Sequence, residues 1–222
     1  MIFFTICKKN VNIYFEKRKN LGFINIREGS NFMKKYGFFG GSFNPPTYAH
    51  LEIAKNALDE IGLDKVFFVP VGNSYDKPDL QDERHRYNML KLMCIGEKNI
   101  EVEDIELGTK EKMQAIDAIK KINNKYIDSK NYFIMGADNF AKLPSWNEAE
   151  SLLNNYNLIV FTRGEYEVKI DKENIKILKI EKYKEYRSGV LRELEKQKKY
   201  DEMEKYTKKE VVDYIKCNWE KI

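Results

Sequence analysis

KKYGFFGGSFNPPTYAHLEIAK (Lys34–Lys55) sets an apolar run against two glycines and two prolines, then begins an amphipathic pattern that carries a histidine. YGFFG reads as a buried strand. Leu51, Ala54, Leu58 and Ile61 recur at helical spacing and stop at Gly62. The strand-to-helix turn between them has the composition of an anion site. Gly40 and Gly41 lack a Cβ, so the backbone there is free to take positive φ and to approach a ligand closely. Successive N–H groups in such a turn form a concavity for anions, and Ser42 adds a hydroxyl donor. Pro45 and Pro46 stiffen the loop. Thr47 is a natural N-cap, which puts His50 on the first helical turn, facing the same anion as the positive end of the helix.

Working outward, strand and helix patterns alternate to the end of the chain. KVFFVPV is a second strand, and DERHRYNMLKLMCI is a helix with Asp82 as its cap. IEVEDIEL alternates as a strand polar on one face, and EKMQAIDAIKKI is helical. NYFIMG and NLIVFTR are strands flanking a short helical piece around Trp146, NIKILKI is another strand, and two helices close the chain. This alternation predicts an α/β fold, a doubly wound, mostly parallel sheet with helices on both faces. Ligands of such sheets sit at the C-terminal ends of the strands. The exits that matter are therefore Gly40–His50, Val71–Lys77, Gly136–Trp146 and the residues from Arg163 onward.

The chain has 222 residues, 42% of them hydrophobic, which suits one core rather than two. Residues 1–32 read as an N-terminal extension, either disordered or an upstream mis-called start before Met33, with a basic arm as the alternative. Residues 33–222 read as a single domain. The extension holds six basic residues against two acidic ones, which accounts for the whole net charge of +4. The remaining body is neutral and lacks the basic footprint of a nucleic-acid binder. Cys7, Cys94 and Cys217 are scattered and odd in number, so reduced thiols in a cytoplasm are expected. No apolar run approaches the ~18 residues of a membrane span. The start MIFFTIC lacks the basic residue and the cleavage site of a signal peptide.

GGSFNPPTYAHL resembles the signature of the nucleotidyltransferases with the pattern G-x-F-x-P-x-[H/T]-x-x-H. Within them it is most similar to the nicotinate/nicotinamide mononucleotide adenylyltransferase family, and the likeness runs from about Met33 to the C-terminus. FIMGADNFAKLPSW resembles the family's G-A-D-x-x-x-x-L-x-x-W segment, a form absent from adenylyltransferases for pantetheine phosphate. Lys77 and Arg86 fall where the family has a lysine before a helix bearing R-x-x-M-L. LIVFTRGEY is similar to a family strand followed by Arg-x-Gly, and YRSGVLRELEK to its I-S-S-T-x-I-R segment.

The resemblance implies a Rossmann-like fold and a transfer of AMP from ATP to nicotinate mononucleotide, giving deamido-NAD and pyrophosphate, with Mg²⁺ carried by the substrate phosphates and no protein metal ligands. It casts His50, Ser188 and Arg192 as catalytic. It places Gly41, Ser42, Phe43, Thr47, Lys77, Gly136 and Asp138 against ATP and its phosphates, and Trp146, Asp117 and Arg163 against the mononucleotide. The acid is favoured over the amide because the GAD segment looks bacterial. Nucleic-acid and membrane partners are not implied, and the oligomeric state stays open.

The chain also departs from the pattern. Thr47 stands at the first histidine of H-x-G-H, Ala49 replaces the glycine, and Arg187 replaces the first serine of the S-S pair and brings an extra charge. MQAIDAI stands where the family often has S-Y-T-x-D-T, keeping Asp117 but losing a hydroxyl at Ala115. Two rival readings follow: a transferase of the same superfamily acting on another small phosphate, and an inactive nucleotide-binding sensor.

Overall fold

The computed structural model describes residues 33–219 apart from 76, 164–167, 169 and 184, together with four short strands among the first 32 residues. The chain divides into two compact units, Met1–Met33 and Lys34–Ile222. In the first, β1 (Phe3–Cys7) pairs antiparallel with β2 (Asn10–Tyr14), and β3 (Glu16–Lys17) with β4 (Asn20–Leu21).

The second unit runs β5 (Lys34–Gly41), α1 (Tyr48–Ile61), β6 (Lys65–Pro70), α2 (Glu83–Met93), β7 (Ile100–Val102), α3 (Ala115–Lys125), β8 (Ser129–Gly136), α4 (Ala137–Lys142), α5 (Ala149–Asn155), β9 (Asn157–Thr162), β10 (Ile175–Lys179), α6 (Ser188–Lys196), α7 (Tyr200–Met203) and α8 (Lys209–Asn218). The six strands β5 to β10 form one parallel sheet in the order β10-β9-β8-β5-β6-β7. The chain starts in the middle, builds outward to β7, then crosses back to build the other half. The point where it reverses lies between β5 and β8, where such sheets open a crevice at the strand ends.

The sheet is apolar on both faces, so its strands read as continuous hydrophobic runs. Side chains alternate between the faces. Phe39, Phe68, Ile134, Ile159 and Phe161 pack into a core with α1, α2, α6 and α8. Met135, Leu158 and Val160 pack with Ile116 and Ile119 of α3 and Leu152 of α5, and Phe38, Phe67 and Val69 meet Ile122 of α3. Helices therefore cover both faces, as the alternation predicts. Helix α1 ends on Gly62 at φ 70°, a left-handed cap that a glycine takes without penalty. Helix α2 begins on Asp82, whose carboxylate accepts the Arg84 N–H.

One expectation is corrected. IEVEDIEL is a strand only over Ile100–Val102; the Glu103 N–H still donates to the Phe68 carbonyl of β6, and the chain then turns, with the Glu103 carboxylate accepting from Lys125, Tyr126 and the Asp104 N–H. The short helical piece expected around Trp146 is present, as helix α4 followed by a 3₁₀ turn at Leu143–Ser145 with Pro144 at the start of that turn. Among the described residues, no helix is long and apolar enough to cross a membrane.

Candidate active site

A cavity of about 790 Å³ opens at the C-terminal ends of β5, β8 and β9. It is lined by Gly40 and Gly41 at the end of β5 with Ser42 and Phe43 after it, by Gly136 at the end of β8 with Ala137, Asp138 and Asn139 after it, and by Phe161 of β9 and Arg163 just beyond. Lys77 reaches it from the loop after β6, His50 from α1, and Glu185 to Ser188 from the approach to α6. Nine of the thirteen residues singled out from the sequence thus meet at one rim: Gly41, Ser42, Phe43, His50, Lys77, Gly136, Asp138, Arg163 and Ser188.

The four others do not line it. Thr47 is fully buried beneath His50. Arg192 lies behind the β5 loop. Asp117 is an exposed residue in the first turn of α3. Trp146 is half-buried against the core around Leu143 and Leu152.

The glycines serve a different purpose from the one their flexibility suggests. Neither Gly40 nor Gly41 has a positive φ; the residue in the left-handed region is Phe43, at φ 45°. What Gly40 supplies is space, since a Cβ there would come within 2.9 Å of the Phe133 ring.

Thr47 and His50 form a capping box at the start of α1, with histidine in the position usually filled by Glu or Gln. The Thr47 N–H donates to His50 Nδ1 at 3.0 Å, and Thr47 Oγ1 lies 3.0 Å from the same nitrogen. A nitrogen that accepts carries no proton, so this network assigns the neutral tautomer with the proton on Nε2. The ring is walled by Phe39 and Phe43, at centroid distances of 6.0 and 5.1 Å. Burial, with the charges of Arg163 and Lys77, takes the His50 pKa down to about 3. His50 is therefore a neutral N–H donor, and the cationic charge comes from other residues.

Lys77, Arg163 and Arg187 supply that charge. Lys77 Nζ donates to Ser42 Oγ at 2.9 Å. Its pKa is lowered by burial and by Arg192 and Arg86, against an opposing pull from Asp138. Burial lowers Arg163 as well, with Asp138 opposing and Arg187 adding to the effect. Arg163 lies over the Phe161 ring, 5.2 Å from its centroid. Crowded cations of this kind disfavour one another's charge, and an anion placed among them relieves the strain. Asp138 is the carboxylate both cations feel. Its Oδ1 occupies the space that a Cβ on Gly136 would need, so the glycine lets the aspartate fold back over the strand end.

Ser188 and Arg192 grip the loop after β5. Ser188 Oγ donates to the Pro45 carbonyl and Arg192 Nη1 to the Asn44 carbonyl, both at 2.8 Å. Reading the sequence missed Glu185, Tyr186 and Asn139 as lining residues. Their only signal was adjacency to Ser188 and Asp138.

Residues 38–194 match the model of the family described as cytidylyltransferase-like. A probable nicotinate-nucleotide adenylyltransferase from Clostridium novyi (strain NT) is 39% identical over 136 residues, which span 60% of this chain and 68% of that protein. The nicotinate-nucleotide adenylyltransferase of Bacillus subtilis (strain 168) is 33% identical over 138 residues, 61% of this chain and 73% of that one. Among solved structures, the Plasmodium falciparum nicotinic acid mononucleotide adenylyltransferase complexed with NaAD superposes with a TM-score of 0.68. The match covers 83% of this chain and 95% of that chain at 22% identity, a likeness of fold.

Proposed function

The chain belongs to the cytidylyltransferase-like family and, within it, to the nicotinate-nucleotide adenylyltransferases, and from that premise we propose that it transfers AMP from ATP to nicotinate mononucleotide, giving deamido-NAD and pyrophosphate. The observation that carries the proposal is the strand-end cavity in which the Nε2–H of His50, the Ser42 hydroxyl, Lys77, Arg163 and Arg187 converge.

In this reading a 5′-phosphate oxygen of the mononucleotide attacks the α-phosphorus of ATP. The bond from that phosphorus to the bridging oxygen breaks, and pyrophosphate leaves with its electrons. The attacking phosphate is already a nucleophile, so the protein supplies position and charge rather than a covalent intermediate. His50 donates from Nε2 to a phosphate oxygen. Lys77 exchanges its bond with Ser42 for one to phosphate, which places its charge directly on the anion. Arg163 and Arg187 hold the far end of the anion.

Mg²⁺, carried by ATP, would supply positive charge that offsets the negative charge of the phosphate oxygens. Among the described residues, no group of three or more His, Cys, Asp or Glu side chains is placed to hold a metal. The carboxylates on the lining, Asp138 and Glu185, are oxygen donors that suit a hard cation held mainly by substrate.

Pyrophosphate release from ATP and Mg²⁺ with nicotinate mononucleotide, nicotinamide mononucleotide and pantetheine phosphate in turn tests the proposal. Nicotinate mononucleotide should be the fastest acceptor by at least about tenfold, the discrimination a few well-placed contacts supply. Silence with both pyridine mononucleotides would overturn it. A second reading, transfer to another small phosphate, is favoured by the positions of Trp146 and Asp117 off the cavity lining, and the same panel detects it.

A further inference from the structure

Arg86 is a fully buried charged side chain in the second unit, and so far it has no role. Burying a guanidinium is costly unless its donors are met. Here two are met by backbone carbonyls rather than by a carboxylate. Nε donates to Gln81 O at 2.7 Å and Nη1 to Ser42 O at 3.1 Å. Among the described residues, Nη2 of Arg86 is the one buried side-chain nitrogen or oxygen without a partner. A group placed only for stability would be expected to use all its donors.

Its two acceptors lie on the two loops that frame the phosphate side of the cavity. Ser42 belongs to the loop after β5, and Gln81 closes the loop after β6 that carries Lys77. The same loops are cross-linked by Asn44, whose Nδ2 donates to Asp79 O at 2.6 Å and whose Oδ1 accepts the Gln81 N–H at 3.3 Å. Lys77 Nζ joins them again at Ser42 Oγ. A trans peptide is planar with its N–H opposed to its C=O. Drawing the Ser42 carbonyl toward Arg86 therefore turns the Phe43 N–H the other way. Phe43 holds φ 45°, a conformation costly for a bulky residue, so the surrounding structure must impose it.

We propose that Arg86 is a positioning residue for phosphate transfer: it fixes the Ser42–Phe43 peptide against the cavity and ties the loop of Lys77 to the same frame. The reaction it serves is the one proposed above, and the inference rests on that reading for its chemistry. The planar fork of arginine reaches two carbonyls at a fixed angle, which a lysine cannot reproduce.

The full-length chain carrying Arg86→Lys or Arg86→Met tests this, with turnover read per folded molecule well below each variant's melting midpoint. Affinity for Mg²⁺-ATP is read separately by calorimetry. For Arg86→Met we expect a loss in kcat on the order of 10²-fold, the scale of a misplaced reactive group. Arg86→Lys should recover about a tenth of wild-type turnover, with weakened ATP affinity in both and KM for the mononucleotide within about threefold. Wild-type kcat and ATP affinity in both variants would overturn the inference. So would collapse of both, since Arg86 would then serve folding alone. If the wild-type chain releases no pyrophosphate, the proposed function fails, and the ATP affinities of wild type and Arg86→Lys still judge Arg86.

Discussion

The loop Gly40–His50 and the segment Gly136–Trp146 both leave the end of a central strand and both pass the chain to a helix. They are equally recognisable as sequence. In the first, a short loop leads straight into α1, and Gly41, Ser42 and Phe43 from the loop and His50 from the first helical turn all reach the cavity, while Thr47 is buried beneath them. In the second, Gly136 and Asp138 reach it, but the six residues of α4 advance the chain by about 9 Å before Trp146 appears. Trp146 then packs on the core beside Leu143 instead. A motif places side chains reliably over the distance its local geometry controls. Beyond one helical turn, packing decides.

The largest effect expected from this contrast is at His50. His50→Ala removes the Nε2–H donor and should lower kcat for pyrophosphate release on the order of 10²-fold. An unchanged rate would remove the phosphate side from the comparison. Next is Trp146. Trp146→Ala should destabilise the fold by about 2 kcal/mol, less than a fully buried tryptophan would cost, and leave KM for the mononucleotide within about threefold. A tenfold rise in that KM with an unchanged melting midpoint would break the contrast, because Trp146 would then act on ligand.

The last effect is confined to acid pH and is absent at neutral pH. His50 titrates at about 3 in the fold against its ordinary value of 6.5, so the unfolded chain binds the extra proton between these values. Stability from this group is complete above pH 6.5 and falls as the pH drops toward 3, with a slope approaching about 1.4 kcal/mol per pH unit. His50→Gln should flatten this part of the melting-midpoint profile between pH 6.5 and 5. An equally steep profile in the variant would place the titration elsewhere.

The sequence carried the site further than its reasons. Gly40 was legible as a close-approach residue, yet the space it leaves is filled by Phe133, a ring on the neighbouring strand. Thr47 was legible as a cap, but its partnership with His50 Nδ1, and hence the imidazole's neutral state, depends on burial by Phe39 and Phe43. Ser188 and Arg192 were legible as a hydroxyl and a guanidinium one helical turn apart. That they hold the carbonyls of Pro45 and Asn44 depends on contacts more than 140 residues apart in the chain.

Hydrophobic period, caps and the Gly-Ser-Phe turn by themselves determined the parallel sheet, its covered faces and the rim where chemistry gathers, because each is set by neighbours a few residues away. The tertiary structure alone decided which charges face the cavity, which donors are already taken, and that Arg86 is buried between two loops. These depend on desolvation and on partners distant in sequence, and local pattern carries no record of either.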